Sequence, residues 1–213
     1  MNEIETARLQ LRMFTADDLD DLSPIFYDPE VIRHVGTGEP VTRDETESYL
    51  AGYIRYWKTH GFGRWAIVYK ETGRLIGYGG IRMFLHMHEL ACLLAKDYWN
   101  MGLGTEAARA CLRYGFEQLK FDRIFGITKL HNIAAQNLMV RLGMAYAQHV
   151  CYYGVDCVEH VMTREEFRPD DSVYILRDAR GPMQAEMPRP EALGRHWRAP
   201  AQTLPAGFPF KPA

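Results

Sequence analysis

The sequence lacks the features that would place the chain in a membrane or on nucleic acid. No apolar run approaches the roughly 18 residues that a membrane-spanning helix needs, and the amino-terminal stretch, with Glu3 and Glu5, is acidic where a secretion signal would be basic. The formal net charge of −2 gives no basic field that would attract nucleic acid. We therefore expect a cytoplasmic protein whose partners include neither a membrane nor a nucleic acid.

Cysteine is scarce, and its spacing argues against both disulfides and a metal site. The four cysteines include no Cys-x-x-Cys pair. His86 and His88 lack a second pair of ligands at the spacing that zinc sites use. Reduced thiols and no bound metal are the expectation.

What the chain does contain is enough apolar sequence for one domain. With 213 residues, 47% hydrophobic and 24% charged, it is too short for two domains of ordinary size. Residues 168–213 hold eight of the eleven prolines and show little periodicity. We predict a domain over residues 1–167 and a proline-rich extension over 168–213, extended or partly disordered, whose Trp197, Phe208 and Phe210 could dock on the domain or on a second subunit.

Periodicity and turn signals predict a sheet with helices around it. Thr15 is a predicted N-cap for a first helix, and Thr42 with Glu45 forms a predicted capping box for the next. Tight turns predict antiparallel pairs, and the helical connection between strands 88–95 and 123–128 allows a parallel pair. The predicted strands are 5–13, 64–69, 74–83, 88–95, 123–128, 145–153 and 156–163, and the further helices are 43–58, 105–120 and 132–142.

Two glycines, Gly102 and Gly104, mark the junction between the predicted strand 88–95 and the helix that follows. Glycine permits positive φ and close approach, so successive backbone N–H groups can point at one phosphate while the helix dipole adds positive potential. The common nucleotide motifs do not fit, because no lysine begins the helix and Ala107 stands where a third glycine would be. Packing alone also explains glycines at such a junction, so both interpretations stay open here.

The surrounding residues resemble a known family. The stretch from Glu89 to Ala107 resembles the strand, turn and helix that bind acyl-CoA in the GCN5-related N-acetyltransferases (GNAT), and Asn132 to Met144 resembles their second motif. Trp99 and the opening run from Glu5 to Arg12 are similar to the branch with the ribosomal-protein N-terminal acetyltransferases. The resemblance covers about residues 5–167 and implies an α/β (α+β) fold, in which a mixed, mostly antiparallel central sheet with one splayed parallel strand pair is flanked by helices.

The same resemblance implies acetyl-CoA as co-substrate and assigns site residues. Glu89 is the implied general base, and the alternative is that it has no catalytic role, because a lone carboxylate on a strand is more often exposed or ion-paired. His86 or His88 could serve instead. Asn132 either contacts the cofactor or only caps its helix. The implied cofactor-binding residues are Cys92, Leu93, Leu94, Trp99, Asn100, Met101, Gly102, Leu103, Gly104, Thr105 and Asn132.

The usual acid of the family is missing from this sequence. Met139 stands where many relatives have Tyr, and Ala135 stands where others have Ser, so neither can protonate the departing thiolate. Tyr146, Tyr152, Tyr153 or solvent could replace it. By analogy alone, Arg33, His34 and Tyr53 are candidate contacts of the acceptor.

The function implied by the resemblance is acetyl-CoA-dependent N-acetyl transfer to a primary amine, of a protein N-terminus or a small molecule, by direct attack. The oligomeric state stays open, with a homodimer as one alternative, because dimers are common among such enzymes. One alternative is a non-catalytic acyl-CoA-binding sensor or partner-binding module on the same fold. Another is a structural domain whose glycines serve packing only.

Overall fold

The computed structural model describes residues 3–177, which form one nine-stranded sheet with five α-helices around it. The strands are β1 (Glu3–Glu5), β2 (Leu9–Arg12), β3 (Arg64–Tyr69), β4 (Arg74–Phe84), β5 (Met87–Leu94), β6 (Arg123–Lys129), β7 (Ala145–Tyr152), β8 (Val155–Thr163) and β9 (Ile175–Arg177). The helices are α1 (Leu19–Tyr27), α2 (Pro29–Ile32), α3 (Arg43–His60), α4 (Leu103–Arg113) and α5 (Ile133–Arg141). No helix of this part of the chain is long and apolar enough to cross a membrane.

The sheet is antiparallel except at its centre, where β5 and β6 run parallel. The strand order is β7-β8-β6-β5-β4-β3-β2-β1-β9. Strand β5 pairs with β4 along its whole length, from Gly77↔Leu94 to Phe84↔Met87, but with β6 only at Glu89↔Phe125. Beyond Glu89 the two parallel strands therefore splay apart. This confirms the predicted mixed sheet with a splayed parallel pair.

Two apolar layers cover the two faces of the sheet, because alternate side chains of a strand point to opposite faces. On β3, Trp65 and Ile67 are buried in the layer that contains α4, whereas Ala66 is buried in the layer that contains α1 and α3. The capping box predicted at Thr42 and Glu45 is present at the start of α3, and the N-cap predicted at Thr15 begins a 3₁₀ turn. The helices thus enclose both faces of the sheet.

The prediction of one continuous first strand over residues 5–13 is wrong. The chain forms two strands, β1 and β2, paired as a hairpin, with residues 6–8 as the turn between them. Thr6 closes that turn, since its backbone N–H donates to Leu9 O at 2.9 Å. The alternation of apolar residues does not reveal this turn, because Ile4 before it and Leu9 and Leu11 after it are all buried.

The long helix also differs from its prediction. It begins at Leu103, two positions before the predicted Thr105, because Gly102 adopts the left-handed conformation, φ 78°, and acts as the N-cap. It continues as a π-helical turn, Tyr114–Gln118. Gly115 lies so close to the sheet there that a Cβ would be 2.4 Å from Ile81 Cδ1. The helical region thus begins earlier and ends slightly earlier than predicted.

The segment after β8 crosses the outer side of α4. The ring of Phe167 stacks on Phe116 with centroids 5.0 Å apart, and Asp170 pairs with Arg109 at 2.6 Å. Strand β9 then joins the sheet beside β1. Residues 175–177 of the predicted extension therefore form an edge strand. Residues 178–213, including Trp197, Phe208 and Phe210, lie outside the described residues.

Candidate active site

A single long groove of about 1350 Å³ runs across the molecule where β5 and β6 separate. One part, which we call the cofactor end, is bordered by the last residues of β5, the first turn of α4 and the start of α5. The other part, the acceptor end, is bordered by Arg33–Thr37, by the side chains of Arg64, Tyr78, Arg82 and Glu89, and by the β7–β8 turn. The two ends of the groove thus differ in chemistry.

The cofactor end is built around the first turn of α4. Asn100 and Gly102 both have positive φ, 59° and 78°, and bring the chain sharply from the sheet into the helix. The backbone N–H groups of residues 102–105 lie at the start of a helix, where no carbonyl of a preceding turn can accept from them, and no side chain caps them. Together with the helix dipole they form a site suited to an anion such as a diphosphate.

A polar network that the sequence analysis missed holds this turn in place. The Glu106 carboxylate accepts from Thr6 Oγ1 at 2.6 Å, from Arg8 N at 2.8 Å and from Arg8 Nε at 2.7 Å. Arg8 Nη1 also donates to Met101 O at 2.8 Å. Burial alone would raise the pKa of Glu106, but these bonds from Thr6 and Arg8 outweigh it and lower the pKa. The β1–β2 turn is thereby attached to the anion site.

Arg8 also brings positive charge to this end of the groove. A Cβ placed on Gly102 would be 3.4 Å from Arg8 Nη2, so the guanidinium lies directly beside the glycine turn. Arg8 was part of the family-like opening run, yet its role is not readable there, because the contact joins residues about a hundred positions apart in sequence. Only the fold brings Arg8 to Glu106.

The end of β5 supplies the groove wall along which the predicted cofactor-binding residues lie. Cys92, Leu93 and Leu94 border the groove, but their side chains are largely directed into the protein, and their binding of a cofactor stays a prediction. Burial raises the pKa of the Cys92 thiol to about 12, so this cysteine is no nucleophile. What these residues can offer a ligand is backbone, on the side where β5 no longer pairs with β6.

The turn residues divide into those that border the groove and those that support it. Trp99, Asn100, Gly102, Gly104 and Thr105 border it. Trp99 also fixes the strand end, because its indole Nε1 donates to Leu94 O at 2.8 Å.

Met101 and Leu103 do not line the groove with their side chains. Leu103 is fully buried in the layer beneath the helix. Met101 has an exposed side chain, and its carbonyl accepts from Arg8. Their place in the predicted set therefore depends on their main chain alone.

Asn132 borders the groove and also caps α5. Its Oδ1 accepts from Ala135 N at 3.2 Å, and its Nδ2 donates to Thr128 Oγ1 at 3.0 Å. The helix-cap interpretation is therefore present, and one N–H and one oxygen lone pair of the amide remain for a cofactor. Its role toward a cofactor stays a prediction.

Met139 is buried for a packing reason. A Cβ on Gly126 of β6 would be 2.5 Å from Met139 Sδ, so the thioether occupies the space that a side chain at position 126 would otherwise fill. Met139 borders the groove beside Ala135, and neither can donate a proton. Neither residue can therefore supply the acid that the family resemblance implies here.

At the acceptor end, Glu89 is buried, with 5% of its surface exposed, and forms an ion pair with Arg82 of the neighbouring strand. Arg82 Nε donates to Oε2, while Oε1 accepts no hydrogen bond from the described residues. The ion-paired alternative to a catalytic Glu89 is therefore present, but one carboxylate oxygen is left available at the groove. Glu89 also occupies the position where β5 and β6 last pair, at the point where the groove opens.

The two histidines near Glu89 are less suitable as bases. His86 is exposed in the turn before β5, with φ 65°, and does not border the groove. His88 stacks on Phe121 with centroids 3.5 Å apart, and burial lowers its pKa. Of these three residues, only Glu89 faces the groove.

The three tyrosines proposed as substitute acids lie in different places. Tyr146 is 61% exposed and does not border the groove. Tyr152 does, but its hydroxyl donates to Glu159, and burial together with that carboxylate raises its pKa. Tyr153 borders the groove from the β7–β8 turn, with φ 51°. Because the Tyr152 proton is engaged by Glu159, Tyr153 and solvent are the remaining candidates.

Of the three residues suggested as acceptor contacts by analogy, Arg33 and His34 border the groove, whereas Tyr53 is buried in the α1–α3 layer. The ring centroid of Tyr53 lies 4.8 Å from the Cζ atom of Arg64, a groove residue that has no motif around it in the sequence. Arg64 and Tyr78 both read as ordinary strand residues. Their position in the groove follows from strand register alone.

Comparison with known proteins identifies the family. A family model described as an acetyltransferase (GNAT) domain matches residues 8–145. The chain therefore belongs to the GNAT acetyltransferases, which confirms the superfamily predicted from the sequence. The likeness to its ribosomal-protein branch stays a prediction.

Individual relatives agree with this assignment. The chain is 26% identical over 143 residues to the uncharacterised N-acetyltransferase YoaA of Bacillus subtilis, covering 66% of this chain and 81% of that one. It is 26% identical over 161 residues to the FsC-acetyl coenzyme A-N(2)-transacetylase of Aspergillus fumigatus, covering 68% and 66%. A GNAT-family acetyltransferase from Bacillus anthracis superposes with a TM-score of 0.70 at 22% identity, covering 77% and 99%, and so shares the fold.

Proposed function

We propose that this protein is an acetyl-CoA-dependent N-acetyltransferase in which a primary amine attacks the thioester directly. The observation that carries the proposal is the continuity of one groove between an anion-binding helix start, residues 102–105, and a buried carboxylate, Glu89. Membership of the GNAT acetyltransferases supports acetyl transfer in general. The amine as acceptor and the residue roles are the finer parts of the proposal.

The cofactor end fits coenzyme A on its own chemistry. A diphosphate needs several convergent donors, and the backbone N–H groups of residues 102–105 with the Arg8 guanidinium supply them. A pantetheine arm contains amides, which suit the unpaired backbone side of β5 at Cys92, Leu93 and Leu94. When bound, the thioester supplies an activated acetyl group.

The residues of the acceptor end then handle the proton. An amine must be neutral to attack, and Glu89 can accept its proton through a water at Oε1 while Arg82 fixes the orientation of the carboxylate at Oε2. One C–N bond forms and one C–S bond breaks. The sulfur leaves as a thiolate and takes a proton from solvent or from Tyr153, so no covalent acyl-enzyme is needed.

The test is a screen of amines that follows release of the CoA thiol from acetyl-CoA, with Glu89→Gln run beside the wild type. The panel should include peptides with free N-termini and small amines, because the names of similar proteins differ in the acceptor. One is an FsC-acetyl coenzyme A-N(2)-transacetylase, and another is a ribosomal-protein S5 alanine acetyltransferase from Vibrio fischeri. Amine-dependent thiol release that Glu89→Gln abolishes supports the proposal. Tight acetyl-CoA binding without turnover of any amine would contradict it and favour the sensor, an alternative prompted by the absent acid at Met139.

A further inference from the structure

The acceptor end contains a cation, Arg64, that is attracted by the Glu89 carboxylate but forms no ion pair among the described residues. Arg64, at the start of β3, lies in the groove wall with its guanidinium Cζ 4.8 Å from the ring centroid of Tyr53 and 5.1 Å from that of Tyr78. Its Nε is shielded from solvent and has no hydrogen-bond partner. Among residues 3–177, no carboxylate pairs with it. A guanidinium cannot shed its proton in a protein, so the charge stays.

An unpaired and desolvated cation is unfavourable unless something compensates it. The two aromatic rings compensate in part, because a guanidinium is attracted to their faces. They do not accept a hydrogen bond from its Nε, however, and the planar fork of a guanidinium's N–H groups matches a carboxylate. Arg82 shows the contrast, since its guanidinium is paired with Glu89.

Strand register places Arg64 and Glu89 on the same face of the sheet. Arg64 lies opposite Gly80, Gly80 lies opposite Ala91, and Glu89 is two residues from Ala91 on β5. The backbones of Arg64 and Glu89 are therefore about 12 Å apart, from strand spacing and residue rise. Gly80 and Ala91 carry little or no side chain between them, so both long side chains can approach one small molecule.

Positive charges outnumber negative ones at this end. Arg33 and Lys129 also border the groove here, and Lys129 Nζ donates to Arg33 O at 2.9 Å. Together with Arg64 and Arg82 they make four cations, against one carboxylate at the acceptor end, Glu89, which is ion-paired with Arg82. A polyamine or another purely cationic acceptor would be repelled by such a wall.

We infer that the acceptor is an amine that also carries a carboxylate, with the carboxylate bound by Arg64 and the amine directed to Glu89. This inference rests on the proposed function, whose acceptor it narrows to the amino-acid class. Arg64 is then a residue that determines specificity. The side chains of Tyr53 and Tyr78 hold its fork toward the groove.

The experiment compares each amino acid with its own primary amide, which keeps the amine and removes the negative charge. Glycine, β-alanine, 4-aminobutyrate and phenylalanine vary the distance between amine and carboxylate and the size of the acceptor. Rates of thiol release give kcat and KM for wild type, Arg64→Met, Arg64→Lys and the control Arg55→Gln, an exposed arginine of α3. Thermal unfolding checks that each variant folds.

For at least one amino acid, the kcat/KM of the wild type should be at least about tenfold higher than for the corresponding amide. The reason is that the amide cannot form the charged hydrogen bonds that a carboxylate forms with Arg64. Arg64→Met should bring the ratio close to one by raising the KM for the acid, with the KM for acetyl-CoA unchanged. Arg64→Lys should give a ratio between these, and Arg55→Gln should behave as wild type. Equal use of acids and amides by wild type, or an unchanged ratio in Arg64→Met, would overturn the inference. If Arg64→Met does not fold, the wild-type ratio and Arg64→Lys decide.

Calorimetric titration of the same pairs into protein saturated with CoA separates this inference from the proposed function. Carboxylate-selective binding that Arg64→Lys weakens, without acetylation of any amine, would contradict the function and leave the carboxylate site standing. Acetylation of acids and amides at equal rates would contradict the carboxylate site and leave the proposed function standing. Neither binding nor acetylation of any panel member would refute both.

Discussion

The two ends of the groove present different kinds of chemical group to a ligand. At the cofactor end, the groups that face a ligand are mainly backbone N–H groups of consecutive residues, 102–105. At the acceptor end, they are side chains that come from three strands, Arg64 of β3, Arg82 of β4 and Glu89 of β5. The first end can therefore tolerate changes of side chain that leave the turn intact. The second should be sensitive to each single substitution.

The largest effect is expected at the acceptor end, from Glu89→Gln. The amide cannot accept the amine proton, so kcat should fall by about 10²–10⁴-fold, the usual contribution of a general base. The KM for acetyl-CoA should stay the same, because the cofactor end is untouched. Steady-state kinetics measures both, with the exposed Glu47→Gln as a matched control. A wild-type kcat would remove Glu89 from the mechanism.

At the cofactor end, Gly104→Trp should weaken acetyl-CoA binding by about 100-fold, because an indole over the first turn of α4 blocks access to the N–H groups. The matched control is Gly104→Ala. A Cβ at this position meets only Leu94 Cδ1 at 3.7 Å, so alanine fits and leaves the amides open. Isothermal titration with acetyl-CoA measures the affinities. If both variants bind like wild type, the diphosphate is held elsewhere.

The support of the cofactor end is tested by Glu106→Gln, which should cost about 1–3 kcal/mol of unfolding free energy, since charge-assisted bonds to Thr6 and Arg8 are lost. The folded-state pKa of Glu106 is lowered. Its contribution is therefore present above the ordinary carboxyl pKa and is lost as pH falls through the folded value. Denaturant unfolding at neutral and acidic pH measures this. The difference between variant and wild type should shrink toward acidic pH, and a difference that grew instead would contradict this sign.

The smallest effect is expected from Trp99→Phe. It removes the indole N–H that donates to Leu94 O and should cost about 1 kcal/mol, the usual net value of one hydrogen bond. Acetyl-CoA affinity should change little, because the backbone donors of the turn remain. Denaturant unfolding together with calorimetry measures both quantities. A large loss of affinity with unchanged stability would mean that the indole itself binds the cofactor.

The same difference explains what the sequence could and could not predict. Gly102 and Gly104 are close together in the chain, and the conformation they allow is local, so a sharp turn into a helix was predictable from a short stretch. Even there, the start of the helix at Leu103 depended on the left-handed conformation of Gly102, which no side-chain periodicity records. The contact of Arg8 with Glu106 needed the fold.

The acceptor end was less predictable for a physical reason. Arg64 and Tyr78 each have the appearance of ordinary strand residues, and only the pairing of β3 with β4 brings them into one wall. Glu89 was recognisable by family resemblance, but its ion pair with Arg82 depends on the register of β4 and β5. A hairpin turn restricts that register without revealing which side chains will face a groove.

A crystal structure of the protein with acetyl-CoA would show directly whether the start of α4 binds the cofactor. Oxygens of the diphosphate should lie within about 3 Å of backbone nitrogens among residues 102–105, at hydrogen-bonding distance, with the thioester directed toward Glu89. A diphosphate bound away from this turn, in a complex with acetyl-CoA at full occupancy, would contradict the proposed cofactor site.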